Sequence, residues 1–184
     1  MKLQVSLFIL LAVASASCVD IPDFDDTPWI DYNGISQETR NDSVNGQPAQ
    51  EVEIVTVTVD FEDGDGDLGA SDAEVQDKDN FGKQYLNAPG WNLEANYRLV
   101  TMFKRKDGSW DERILAGDSV KFFPILKPDG KAGPIRGKLD LNTRFIKFRS
   151  AVPTTVKFKV SIMDRAFRVS NQITTDTIVV PVLP

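Results

Sequence analysis

The chain reads as an all-β protein: one antiparallel β-sandwich of about seven strands, following an extended N-terminal tether. Three observations predict this. Apolar residues recur with a period of two along several short runs, Gly/Asp/Pro turn signals separate the runs, and no segment carries a sustained helical stripe with caps. At 184 residues, with 41% hydrophobic and 26% charged side chains, the length suits about one domain with its own core.

The first element, Met1 to Ser17, reads as an export signal. Lys2 supplies a short positive region, Leu3 to Ala14 are mostly apolar, and small residues follow. The apolar run falls short of the roughly 20 residues that span a bilayer, and no later segment is apolar enough to cross one. Ala14-Ser15-Ala16 fits ordinary secretion with cleavage before Ser17. Ser15-Ala16-Ser17-Cys18 resembles a bacterial lipobox with cleavage before Cys18, although Ser15 stands where Leu is usual. The lipobox is favoured because ordinary secretion would leave one unpaired, reactive thiol near the mature N-terminus in an oxidising compartment. Two or more acyl chains on Cys18, at about 0.8 kcal/mol per buried methylene, would anchor the chain firmly to a membrane.

Next, Cys18 to about Gln50 has no sustained period and is rich in Asp, Asn, Gln, Ser, Gly and Pro, so it reads as a tether. The net charge of -6 hides a strong asymmetry: Cys18 to Asn80 holds 18 acidic and two basic residues, whereas Phe81 to Pro184 holds 18 basic and nine acidic ones. Asp20, Asp23, Asp25 and Asp26 resemble the acidic stretch behind the lipidated cysteine of surface-exported Bacteroidetes lipoproteins. A solvated linker with no address encoded explains them equally well.

The domain is expected over residues 51–184. Val55, Val57, Val59 and Phe61 alternate with Thr56, Thr58 and Asp60, giving a strand with one buried face. Further strands are expected over Tyr97 to Lys104, Trp110 to Leu115, Ser119 to Leu126, Arg144 to Arg149, Thr155 to Met163 and Thr174 to Leu183. In the clearest of them, Val156, Phe158, Val160 and Ile162 face the core while Lys157 and Lys159 face water. Lys147 and Arg149 likewise read as solvent-side residues that discourage edge-to-edge aggregation. Spread over many strands, these charges do not make a nucleic-acid surface. Lys106-Asp107-Gly108-Ser109 reads as a hairpin turn and Lys127 to Lys131 as a wider one. The strand count and spacing fit a sandwich of immunoglobulin-like type.

The most specific feature is Asp63-Gly64-Asp65-Gly66-Asp67-Leu68-Gly69, at the end of the first strong strand. Asp63, Asp65 and Asp67 alternate with glycines that let a tight backbone aim several oxygens at one centre. Carboxylates this close repel one another unless a cation or a basic group neutralises them. Oxygen ligands without His or thiolate suit calcium better than magnesium, which demands a stricter octahedron. The start matches an EF-hand loop, but Leu68 replaces its obligatory Gly. Glu74 stands at loop position 12 and is a further candidate ligand. The competing reading is an Asp/Gly turn whose carboxylates are solvated or neutralised by nearby Lys and Arg.

The strand followed by this loop, together with Asp164-Arg165-Ala166 and Ser170-Asn171 before a Thr-rich final strand, resembles an immunoglobulin-like domain common in lipoproteins of the Bacteroidetes cell envelope. The late segment of that family reads D-R-A-G-N-x-S-N; this chain departs from it with Phe167 and Arg168 in place of Gly-Asn. The resemblance, over roughly Glu51 to Pro184, implies an outer-membrane lipoprotein facing the periplasm or the cell surface. It also brings the first and last strands near each other, which makes Asp164 and Asn171 candidates to complete the cation shell. Alternatively, Asp164 and Arg165 only shape a turn and pair locally.

No histidine and one cysteine exclude Ser-His-Asp and Cys-His catalysis, His-ligated zinc or haem, an imidazole switch and an internal disulfide. A non-catalytic, lipid-anchored binding or structural module, held at the membrane through Cys18 and working within an envelope protein complex, is the leading expectation. A carbohydrate-binding lipoprotein is the alternative, with Trp29, Trp91 and Trp110 as candidate stacking platforms; aromatic residues of a sandwich more often belong to its core. A hydrolase would need two carboxylates held apart across a cleft, away from the acidic loop.

Overall fold

A computed structural model describes residues 22–42, 50–77 and 80–182; the segment expected as an export signal and Cys18 lie outside the described residues. Eight strands form two antiparallel sheets. The first sheet has the order β1-β2-β5, from Trp29–Asp42, Gln50–Asp63 and Ile135–Ile146. The second runs β4-β3-β6-β7, from Trp110–Arg113, Tyr97–Lys104, Val152–Ile162 and Ile173–Thr174, with β8, Ile178–Val182, also pairing with β6. The architecture is an all-β sandwich, as the alternating pattern predicts.

The core lies between the sheets. Val55, Val57, Val59 and Phe61 of β2 and Leu139, Leu141 and Phe145 of β5 pack toward Tyr97 and Leu99 of β3. Val156, Phe158, Val160 and Ile162 of β6 are fully buried on that same inner side. Each such side chain contributes about 1.5–3 kcal/mol when removed from water. Lys159 sits on the outer side and pairs with Glu112 of β4 at 2.7 Å. The hairpin turn at residues 106–109 forms as expected, closed by the Arg105 amide on the Ser109 carbonyl at 2.8 Å.

Four expectations need correction. The stretch expected as a tether contains β1, which pairs with β2 from Trp29↔Glu62 to Asp42↔Gln50 across an irregularity between Tyr32 and Gly34. As an edge strand it buries Ile30 completely and leaves most other side chains exposed, so no apolar alternation announces it. Ser119 to Leu126 is not a strand: its backbone is held by the Asn96 side chain, which accepts from the Phe123 amide at 2.9 Å and donates to its carbonyl at 3.1 Å. Of the strand expected over Arg144 to Arg149, only Arg144 to Ile146 is extended, as the end of the longer β5. The final strand is split into β7 and β8, because the Thr175 hydroxyl accepts the Phe158 amide at 3.0 Å in place of a ladder carbonyl.

Two short helices fill the β2–β3 connection: α1, Asp72–Gln76, and α2, Phe81–Leu86. At five and six residues they are too short to display an amphipathic stripe. α1 nevertheless has a capping box: the Glu74 amide donates to the Ser71 hydroxyl at 3.3 Å and the Glu74 carboxylate accepts the Ser71 amide at 2.9 Å. Behind α2 lies a second, smaller core of Tyr85, Ala88, Trp91, Leu93, Ala95 and Met163. It closes the end of the sandwich where the acidic loop sits.

Candidate metal centre

Both strands that lead into this end carry the alternation one step past their apolar residues, and in each the next inward position is an aspartate. In β2 the series Val55, Val57, Val59, Phe61 continues to Asp63; beyond β6 the series Val156, Phe158, Val160, Ile162 continues to Asp164. Both aspartates are fully buried. The pleat therefore drives two carboxylates into the end of the core.

The loop after β2 supplies the others. Gly66 adopts φ 71°, and a Cβ there would lie 2.4 Å from the Gly133 carbonyl oxygen, so glycine is required on both conformational and steric grounds. The Gly133 amide donates to the Asp65 carbonyl at 2.9 Å and the Leu126 amide to that of Leu68 at 3.1 Å, stitching the loop to the β4–β5 connection. The Asp67 amide donates to Asp63 Oδ2 at 3.1 Å, which curls Asp67 back over Asp63.

On the other side, Asp164 opens a tight turn closed by the Arg168 amide donating to Asp164 Oδ1 at 2.7 Å. Within that turn Phe167 takes the left-handed φ of 64°. Its ring packs edge-on against Tyr85 at 5.4 Å, a contact that offsets part of the backbone strain.

One carboxylate oxygen from each of Asp63, Asp67 and Asp164 lies within 4.8 Å of the others, a grouping able to hold a metal ion. Asp63 Oδ1, Asp65 Oδ1 and Asp67 Oδ1 are buried and make no hydrogen bond. A buried oxygen without a donor costs about 1–3 kcal/mol, more when charged. Burial first, then the charges of Asp65, Asp67 and Asp164, push the Asp63 carboxyl up to about 7. Burial likewise pushes Asp164 up to about 6, against the opposing pull of the Arg168 amide. Asp67 is raised by burial and then by Asp65. The site thus takes up a positive charge readily, as protons or as a cation.

The basic neighbour that the competing reading expects is Arg168, which the sequence does not single out. Arg168 Nη1 donates to Asp65 Oδ2 at 2.6 Å and stands 3.5 Å from Asp164 Oδ2. It neutralises Asp65, also reaches Asp164, and leaves Asp63 with carboxylates as its charged neighbours.

Two further candidate ligands are engaged elsewhere. Glu74 caps α1 and forms a two-pronged pair with Arg165, whose guanidinium pulls the carboxyl down to about 2. Asn171 instead pins β1: its Oδ1 accepts the Ile30 amide at 2.8 Å and its Nδ2 donates to the Ile30 carbonyl at 2.7 Å. Both are candidates by position along the chain, and both are satisfied by nearer donors and acceptors.

The three tryptophans separate. Trp91 is 2% exposed, with its Nε1 donating to the Ala95 carbonyl at 2.7 Å, so it is a core residue and not a platform. Trp110 is half-buried and its face is taken by the Lys157 ammonium at 4.5 Å. Trp29 is 54% exposed at the start of β1, its Nε1 donating to Asp31 Oδ2 at 3.3 Å.

No family model, curated protein or solved structure matches the chain.

Proposed function

We propose that the protein is a non-catalytic, lipid-anchored module of the cell envelope, held to the outer membrane through Cys18, and that calcium neutralises its acidic loop. The observation that carries the cation reading is the buried triad of Asp63, Asp67 and Asp164 with its unpartnered oxygens. Calcium accepts six to eight oxygens at about 2.3–2.6 Å, so two opposite ligands stand about 5 Å apart, in keeping with this triad. A hydrolase fits poorly. Paired glycosidase carboxylates stand about 5–9.5 Å apart across a cleft, whereas these crowd within 4.8 Å in the core end of a sandwich.

The direct test is thermal melting in millimolar calcium and in EDTA: calcium raises the melting temperature and EDTA reverses the rise. An unchanged melting temperature rejects the cation. Anchoring is tested separately, since Cys18→Ser moves the protein from the membrane fraction to the soluble one.

A second reading, a glycan-binding lipoprotein, draws on Trp29, the one exposed indole among the described residues. It walls two shallow grooves that also carry Asp25, Glu62, Asp60 and Arg136, so a stacking face and hydrogen-bonding groups for hydroxyls lie side by side. Its signature is polysaccharide retention lost in Trp29→Ala with unchanged melting.

A further inference from the structure

Residues 22–28, which connect the expected anchor site to β1, lie as a strap against the acidic loop. The Gly64 amide donates to the Asp25 carbonyl at 2.9 Å, and Arg168 Nη1 donates to the Asp26 carbonyl at 2.9 Å. The Thr27 amide closes a turn on Asp25 Oδ1 at 2.7 Å. The approach is close: a Cβ on Gly64 would stand 2.4 Å from the Phe24 carbonyl oxygen. The strap therefore touches the same loop, and the same arginine, that shape the candidate metal centre.

Charge at this contact is mostly negative. The strap carries Asp23, Asp25 and Asp26 and touches, through its backbone carbonyls, the loop of Asp63, Asp65 and Asp67 and the Arg168 that follows Asp164; Asp26 Oδ2 also stands 3.8 Å from Arg168 Nη2. Arg168 is the guanidinium bonded to both sides, through Asp65 and the Asp26 carbonyl, while Arg165 is engaged by Glu74. Asp63, fully buried with an unpartnered Oδ1, points to a missing positive charge within the loop rather than on its surface.

We propose that a divalent cation in the Asp63/Asp67/Asp164 triad seats the strap, and that its loss releases it. The cation cancels like-charge repulsion between strap and loop and stiffens the loop that presents the Gly64 amide. A released strap adds seven residues of extended chain, about 23 Å, between membrane anchor and sandwich. The domain's reach from the membrane then follows the calcium level outside the cell. This inference rests on the cation reading above, and its consequence for reach on the anchor at Cys18.

Hydrogen–deuterium exchange of residues 22–31 in the purified full chain tests it. Calcium slows exchange of this segment roughly tenfold relative to EDTA, the scale of a typical coupling between sites. A variant combining Asp23→Asn, Asp25→Asn and Asp26→Asn, in which the repulsion is removed from the strap side, exchanges slowly in both conditions. The Asp25→Asn change keeps a side-chain oxygen able to accept from the Thr27 amide. Equal exchange in calcium and EDTA, with calcium still raising the melting temperature, overturns the strap proposal and spares the cation. Full calcium dependence in the triple variant overturns the electrostatic mechanism. Calcium without effect on melting removes the cation and this proposal with it.

Discussion

Two buried aspartates in this molecule have opposite surroundings. Asp118, at the end of the 3-10 turn Ala116–Asp118, is 1% exposed and has both oxygens paired: Lys121 Nζ lies 2.6 Å from Oδ1, and the Thr143 hydroxyl donates to Oδ2 at 2.7 Å. Asp63 is as deeply buried, but one oxygen accepts only the Asp67 amide and the other accepts nothing. Its nearest charged neighbours are carboxylates. A carboxylate whose partners are supplied by the fold stabilises that fold. A carboxylate left without them is a place for something the chain does not itself provide.

The comparison breaks or sharpens through substitution, and Asp118 carries the largest expected effect. Asp118→Ala strands the buried Thr143 hydroxyl and frees Lys121, costing about 3 kcal/mol of stability in calcium and EDTA alike. Denaturant titration measures it; a loss of that size seen only in calcium would undo the contrast.

Asp63→Asn comes next. In EDTA it removes one of several like charges and melts no lower than the parent. In calcium it forfeits the ligand-dependent increment, about 2.7 kcal/mol when calcium is 100-fold above its dissociation constant. A variant that keeps the full increment would remove Asp63 from the cation shell.

The last test is the pH dependence in EDTA. Asp63 and Asp164 have folded values of about 7 and about 6, above the ordinary 3.8, so between those limits the folded chain binds more protons than the unfolded one. Their contribution is full below about pH 4 and falls as pH rises through 6 and 7. Glu74, held down by Arg165, has the reverse sign: its contribution is lost as pH falls from 4.5 toward 2. Melting curves between pH 5 and 8 in EDTA should therefore decline with rising pH, and calcium should flatten them. A rising profile in EDTA would contradict the burial of uncompensated acids.

Much of the sandwich was legible in alternation. β3 and β6 follow their apolar patterns closely, and the inward parity of Val55 through Phe61 also places Asp63 inside, a signal present in the sequence for anyone who continues the count. Asp164 follows by the same rule from Val156 through Ile162. The Ser71-x-x-Glu74 capping box was readable too, and would have withdrawn Glu74 from the ligand candidates. β1 was not legible, because an edge strand held by the β2 backbone needs few apolar residues. Nor was the Ser119 to Leu126 segment, where the Asn96 side chain and scattered backbone bonds to Leu68 and Ala70 stand in for a strand ladder.

Sequence by itself determined the alternation, and hence the two-sheet core and the burial of acids at the ends of two core strands, because side-chain direction along a strand is a local property of the backbone. Tertiary structure alone decided how those acids are neutralised. Arg168 meets Asp65 across 103 positions and Asn171 meets Ile30 across 141, while Glu74 finds Arg165 instead of the triad. Charge compensation depends on distance in space, and no local pattern records which chain ends the fold will bring together.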